Sequence, residues 1–321
     1  MTVMLSADAK GIEQAGNLLR DGRLVAFPTE TVYGLGANAL DGRAVAAIFA
    51  AKQRPNFNPL IVHVRDREEA GELVQFNPLA EALAETFWPG GLTLVLPRRE
   101  PTPLALLVSA GLDTVALRSP AHRIARAVIE AAGVPIAAPS ANRSGRISPT
   151  SAADVADELD GRIDAILDGG RCPLGIESTI VGFDGQRPIL LRPGAVARAE
   201  IEKVLGTLRR SDRQGIILAP GMMASHYAPT ARLRLNADRV EPGEALLAFG
   251  TPVLAGAAVT CNLSETGDLR EAAANLFAML RRLDRFGTGR VAVMSIPYEG
   301  LGEAINDRLE RAAAPRAKTE P

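Results

Sequence analysis

Along the first two-thirds of the chain, the spacing of apolar positions switches repeatedly between two periods. The short apolar runs "LVAFPTE", "LIVHV", "LTLVLP", "TVALR", "PIAAPS", "AILDGG", "TIVGF" and "ILLRPG" read as strands. Between them, "EQAGNLLRDG", "GRAVAAIFAAKQR", "PLAEALAETFW", "AHRIARAVIEAAG" and "SAADVADELDG" carry helical spacing. Local chemistry marks the helix ends. Asn77 before Pro78, and Ser119 before Pro120, each set a capping side chain ahead of a proline at the first helical position. Gly22, Gly133 and Gly161 stand where helices should stop. Ser151 with Asp154 resembles a capping box, with Asp the weaker partner. Strand and helix in alternation predict an α/β domain.

The pattern changes near residue 197. "ARAEIEKVLG" predicts a closing helix, and "TLRRSDRQGIILAPGMMASHYAPTARL" has no clear periodicity, as a connector would. Then "GEALLAFG", the long helix "LREAAANLFAMLRRLDRFG", the strand "VAVMSIP" and the helix "GLGEAINDRLERAA" form a second, smaller α/β unit. The expected division is a catalytic domain over 1–200, a linker or lid over 201–230, a small domain over 231–312 and a flexible tail over 313–321.

Composition narrows the function classes. A length of 321 residues accommodates two domains. A formal net charge of −1 supplies no general attraction for nucleic acid or membrane. Two cysteines and three histidines, far apart in sequence, exclude a disulfide framework and argue against a resident metal site. The N-terminus "MTVMLSADAKG" lacks the apolar core of a secretory signal, and no window is apolar enough to span a bilayer, so the cytoplasm is expected.

Positive charge recurs in one local setting. Arg118 ends "TVALR", Arg192 ends "ILLR", and Lys52 with Arg54 end the helix "GRAVAAIFAAKQR"; proline follows each group and fixes the direction of exit. In open α/β sheets, ligands gather at the carboxyl ends of strands, where arginine suits carboxylate and phosphate. The loop "SANRSGRISPT", Ser140 to Thr150, adds hydroxyls and backbone donors just before a helix N-terminus, where anions bind. "GLGANA" fits the dinucleotide pattern in letters only. "PTETVY" separates it from its strand, and His63 stands near where an acidic residue is needed. There is no P-loop signature and no G-x-S-x-G. His63, Glu30, Trp88 and Ser178 each admit a structural role as readily as a functional one.

In order and spacing, "FPTETVYGLGANAL", "KQRPNFNPLIVHV", "FWPGGLTLVL", "VALRSP", "APSANRSGRISPT", "GIESTIVGF" and "LLRPGAV" resemble the YrdC-like family. "APGMMASHYAPTARL" with the small domain after it resembles the two-domain members. The resemblance implies an α/β fold: an N-terminal YrdC-like domain with a twisted, mostly mixed open sheet and flanking helices, and a smaller C-terminal Rossmann-like domain. It further implies a nucleotidyltransferase that joins L-threonine, bicarbonate or CO2, and ATP into threonylcarbamoyl-adenylate and pyrophosphate. The intermediate would pass to tRNA-modifying proteins, with at most weak contact to RNA. Threonine would be bound by Thr31, His63, Arg118, Ala138 and Ser178, with Arg118 on its carboxylate. ATP, with Mg²⁺, would be bound by Lys52, Arg54, Asn58, Thr114, Ser140, Ser148, Arg192 and Tyr227. Lys52 and Arg54 would neutralise phosphate charge, and Tyr227 would sit on a lid. Gln53 stands where the family commonly has glycine. Two other classes remain to be separated from this one. A double-stranded RNA-binding module would show salt-sensitive binding without ATP turnover. A carbamoyl-adenylate-forming transferase normally carries cysteine-rich zinc modules, which two cysteines cannot build.

Overall fold

The computed structural model describes residues 1–185, 187–210 and 226–315. Most of the connector, 211–225, and the end of the tail, 316–321, lie outside the described residues. The strands of the first unit are β1 (Val3–Ser6), β2 (Val25–Phe27), β3 (Gly34–Asn38), β4 (Ile61–His63), β5 (Leu92–Pro97) and β6 (Thr114–Arg118). They are followed by β7 (Ile136–Ala137), β8 (Ala165–Asp168), β9 (Thr179–Asp184), β10 (Arg187–Arg192) and β11 (Arg209–Arg210). All eleven join one sheet in the order β1-β8-β2-β3-β7-β4-β6-β5-β9-β10-β11. The sheet is mixed: β4 and β6 run parallel, whereas β5 and β6, and β9 and β10, are antiparallel.

The second unit has β12 (Arg232–Arg234), β13 (Ala245–Ala248), β14 (Thr260–Asn262) and β15 (Arg290–Val293), all parallel, in the order β12-β15-β13-β14. Helices Leu269–Phe286 and Gly302–Ala313 accompany it. A parallel sheet needs crossover connections, and helix Leu269–Phe286 supplies the one from β14 to β15. The α/β class and the mixed and Rossmann-like sheets are therefore as expected. Among the described residues, no helix is long and apolar enough to cross a membrane.

Several local expectations shift. "GLGANA" is strand β3, and the helix Arg67–Leu73 lacked a clear sequence signal. Ser119 is not a helix cap: the helix begins at Arg123 after His122, and the Ser119 hydroxyl donates to the Arg65 carbonyl instead. Asn77 does cap its helix, and Ser151 with Asp154 forms the reciprocal capping box. Within the expected linker over 201–230 lie the end of helix Arg198–Leu205 and strand β11, which pairs with β10. Gln53 takes a left-handed conformation at the helix C-cap, φ 52°, which is the physical reason a glycine suits that place.

Apolar packing does not stop at the connector. Val32, Ile147 and Ile176 of the first unit share a buried cluster with Tyr227, Leu247, Phe277 and Leu280 of the segment beyond it. Gly175 makes the close approach possible. Its φ is +63°, and an added Cβ would lie 2.4 Å from the carbonyl oxygen of Ala274 on helix Leu269–Phe286.

Candidate functional site

The parallel pairing of β4 with β6 sets His63 opposite Arg118, both at the carboxyl end of their strands. Arg192 ends β10, and Ser178 immediately precedes β9. The turn after β2 brings Thr29 to Thr31 alongside, while the Gly34–Ser140 bridge anchors the hydroxyl-rich loop. One cavity results. Its walls include Thr31, His63, Arg118, Ala138 and Ser178, together with Arg54, Ser140, Arg192 and Tyr227. The three guanidiniums that the sequence sets in separate turns therefore meet.

At one end, Arg118 is almost completely buried and spreads its donors over three partners. It pairs with Glu30 at 2.6 Å, donates to the Thr31 hydroxyl at 2.9 Å and to the Gly90 carbonyl at 3.0 Å. Burial alone would raise the Glu30 pKa, but Arg118 holds it below the ordinary carboxylate value. Burial, and then Arg118, push His63 down to about 3, so its imidazole is neutral.

At the other end, Arg192 donates to the Ser178 carbonyl at 2.7 Å. Arg54 donates to the carbonyls of Asn58 and Pro59. Burial lowers its pKa to about 10, still charged at neutral pH. Glu177 accepts from the Ser148 hydroxyl and pairs at 2.8 Å with Arg308, which comes from the last helix of the second unit. Gly194, in the turn after Arg192, lets that turn press on this segment: an added Cβ would lie 2.4 Å from the Glu177 carbonyl oxygen.

Tyr227 closes the cavity. Its backbone sits at φ +63°, an uncommon state for an aromatic residue and a sign that its position is imposed by its surroundings. Its ring stacks on Phe277 with centroids 5.7 Å apart, and Arg308 lies over it at 5.0 Å. Among the described residues, the Tyr227 hydroxyl and the Nδ1 atoms of His63 and His226 are buried without a hydrogen-bond partner. Buried polar atoms in native folds are nearly always paired, so three such atoms on residues lining one cavity mark where a ligand's polar groups belong.

Four expected ATP contacts lie outside this lining. Lys52 is buried behind it, with Nζ donating to the carbonyls of Ser140 and Asn142. Burial, and then Arg54, push its pKa well down. It braces the loop through these two carbonyls. Asn58 lends its backbone carbonyl to Arg54, and Ser148 reaches the site through Glu177. Thr114 opens β6, the strand that Arg118 ends, and so lies at the far end of it. Sequence reasoning missed Glu177 and Arg308 altogether and left Glu30 open. The acidic residues were visible inside "PTET" and "IEST", but a buried carboxylate is recognisable only by the arginine that meets it. Among the described residues, no group of three or more His, Cys, Asp or Glu could hold a metal ion.

A family model described as "Telomere recombination" (Sua5_yciO_yrdC) matches residues 17–194, and one described as "Threonylcarbamoyl-AMP synthase, C-terminal domain" matches 196–314. A threonylcarbamoyl-AMP synthase of Pyrococcus abyssi is 44% identical, with 95% of this chain and 94% of that one covered. One of Bacillus subtilis is 42% identical, over 98% and 96%. The crystal structure of P. abyssi Sua5 complexed with L-threonine matches with a TM-score of 0.89 at 41% identity, covering 98% of this chain and 97% of that one.

Proposed function

The chain belongs to the Sua5/YciO/YrdC family and carries the C-terminal domain of threonylcarbamoyl-AMP synthases, and from that premise we infer that it condenses L-threonine, bicarbonate and ATP into threonylcarbamoyl-AMP and pyrophosphate. The observation that supports this most directly is the meeting of Arg54, Arg118 and Arg192 on one cavity with unpartnered polar atoms in its walls.

Threonine takes the Arg118 end. Its carboxylate shares the guanidinium with Glu30, and Glu30 then faces the ammonium, so a zwitterion meets a complementary pair of charges. Neutral His63 is suited to the side-chain hydroxyl, and small Ala138 leaves room for the methyl group. The triphosphate takes the Arg54 and Arg192 end, beside Ser140 and Tyr227. Mg²⁺ arrives as part of the nucleotide substrate, held by phosphate oxygens, as is usual for that ion.

The chemistry asks for little covalent help. Bicarbonate takes up a proton and loses water to give CO2. The threonine nitrogen, once it has lost its ammonium proton, bonds to the CO2 carbon and releases a second proton to solvent, which leaves the carbamate anion. A carbamate oxygen then bonds to the α-phosphorus while the bond to the pyrophosphate oxygen breaks. Positioning and neutralisation of phosphate charge supply the rate. Lys52 contributes by holding the Ser140–Asn142 loop beside the nucleotide. Both intermediate and product hydrolyse readily, so the apolar lining of Val32, Ile61 and Ala138 serves to keep water out. The segment bearing His226 and Tyr227 lines the cavity, where it would act as a lid over the loaded site.

The adenylate is a short-lived donor, consumed by proteins that modify tRNA, and the reaction belongs in the cytoplasm, where ATP and tRNA are abundant. The deciding experiment is pyrophosphate release from ATP with threonine and bicarbonate present or omitted. Release that depends on both is the expected result; release that ignores threonine refutes the reading.

A further inference from the structure

The second unit reaches the cavity walls through a fully buried side chain. Arg308, on helix Gly302–Ala313, has no exposed surface and four distinct contacts. Its Nε meets Glu177 at 2.8 Å, Nη2 donates to the Pro193 carbonyl at 3.0 Å, and Nη1 meets Asp307. Its guanidinium carbon lies 5.0 Å from the centre of the Tyr227 ring. Glu177 itself lines the cavity beside Ser178, and Pro193 follows the cavity residue Arg192. Glu177 also holds the Ser148 hydroxyl. The same helix accepts the His226 amide at the Arg311 carbonyl, which fixes the start of the segment carrying Tyr227.

We propose that Arg308 is a positioning residue for the nucleotide end of the cavity, tying the C-terminal unit to Glu177, to the turn after Arg192 and to the ring of Tyr227. It does not touch the reacting atoms. Its role presupposes the adenylate-forming reading of the cavity. The electrostatic reason is direct. Glu177 is an anion beside a site meant for a polyanion. With Arg308 present the direct ion pair of Glu177 is with Arg308, while Arg192 donates to the Ser178 carbonyl and acts on Glu177 only through space. Without Arg308, the cation left to the buried carboxylate is Arg192, and pairing with it would draw that guanidinium away from ATP.

The test uses the full chain and pyrophosphate release, with wild type, Arg308→Met and the double variant Glu177→Gln/Arg308→Met. Arg308→Met should raise the KM for ATP about tenfold or more, the scale expected for an unpaired buried charge, and leave the KM for threonine nearly unchanged. A mere packing defect would move both. The double variant removes the stranded charge while keeping an amide oxygen there to accept from Ser148, so it should regain most of the lost kcat/KM for ATP. If Arg308→Met does not fold, the double variant decides alone, since it has no uncompensated charge: a folded, active double variant supports the role. An unchanged ATP KM in Arg308→Met, parallel rises in both KM values, or a double variant no better than the single one, folded or not, overturns it. A wild-type chain without threonine-dependent release instead sinks the reaction itself, and the two failures stay distinct.

Discussion

Arg118 and Glu30 form a buried pair, and in the proposed reaction the Arg118 guanidinium also takes the threonine carboxylate, so removing Arg118 should act twice. Arg118→Ala should raise the KM for threonine about 30-fold, the cost of a lost charged hydrogen bond, with little change in the KM for ATP. It should also lower the melting temperature, because Glu30 is left buried and uncompensated. Equal effects on both substrates would remove Arg118 from the threonine end. Titration offers a second check. His63 in the fold takes up its proton only near pH 3, while an unfolded histidine does so near 6.5. Between those values the unfolded chain binds the extra proton, so stability is complete above 6.5 and declines as the pH falls. His122 and His226 are lowered too, by burial first, and act in the same direction. His63→Gln should therefore reduce the slope of unfolding free energy between pH 6.5 and 5 by up to about 1.4 kcal/mol per unit. An unaltered slope would show that His63 is not the buried neutral group described.

Elements bring these residues into range, and two devices matter most. The loop Ser140–Thr150 is held by Lys52 from beneath and by the Ser148–Glu177 contact at its end. Ser148→Ala deprives Glu177 of a donor, and a several-fold rise in the KM for ATP with an unchanged KM for threonine is the expected outcome. An unchanged ATP requirement would take Ser148 out of the nucleotide end. The other device is the contact of helix Leu269–Phe286 with the backbone at Gly175. Gly175→Ala puts a methyl group against the backbone around Ala274 in an unfavourable φ region, which should cost about 1–3 kcal/mol and lower the melting temperature by several degrees. Because the docked unit carries Arg308, the KM for ATP should rise as well. A stable Gly175→Ala variant with native kinetics would mean that the helix docks elsewhere.

Across the whole molecule, the C-terminal unit behaves as part of the site and not as an appendage. Its apolar cluster is continuous with Val32, Ile147 and Ile176. Arg281, largely buried, pairs with Glu158 and donates to the Ile147 carbonyl, one residue before Ser148. Arg285 adds a more exposed pair with Asp157, which salt will screen. A chain stopped after Arg210 would uncover the shared apolar surface and leave Glu177 without Arg308. Its pyrophosphate release at fixed ATP should fall about tenfold or more, as follows from stranding a buried charge. Full activity in the shortened chain would refute the view that both units build one cavity.

Much of this was legible in the sequence because its signals are local. Hydrophobic period, the Asn77–Pro78 and Ser151–Asp154 caps, and the prolines after Arg118 and Arg192 act over a few residues, and they determined the α/β class and most elements. Residue types at the ends of strands marked the cationic candidates for the same reason. Local signals failed where contact partners are remote. Ser119 carries the local signal of a cap, yet its hydroxyl goes to the Arg65 carbonyl, and "GLGANA", which fits a dinucleotide pattern in letters, is largely a strand with β2 and β7 paired on either side. Glu177 and Arg308 stand 131 positions apart, so no window of sequence holds both. Whether a buried charge is a liability or a tool depends on its partner, and only the path of the chain through space decides which partner it meets.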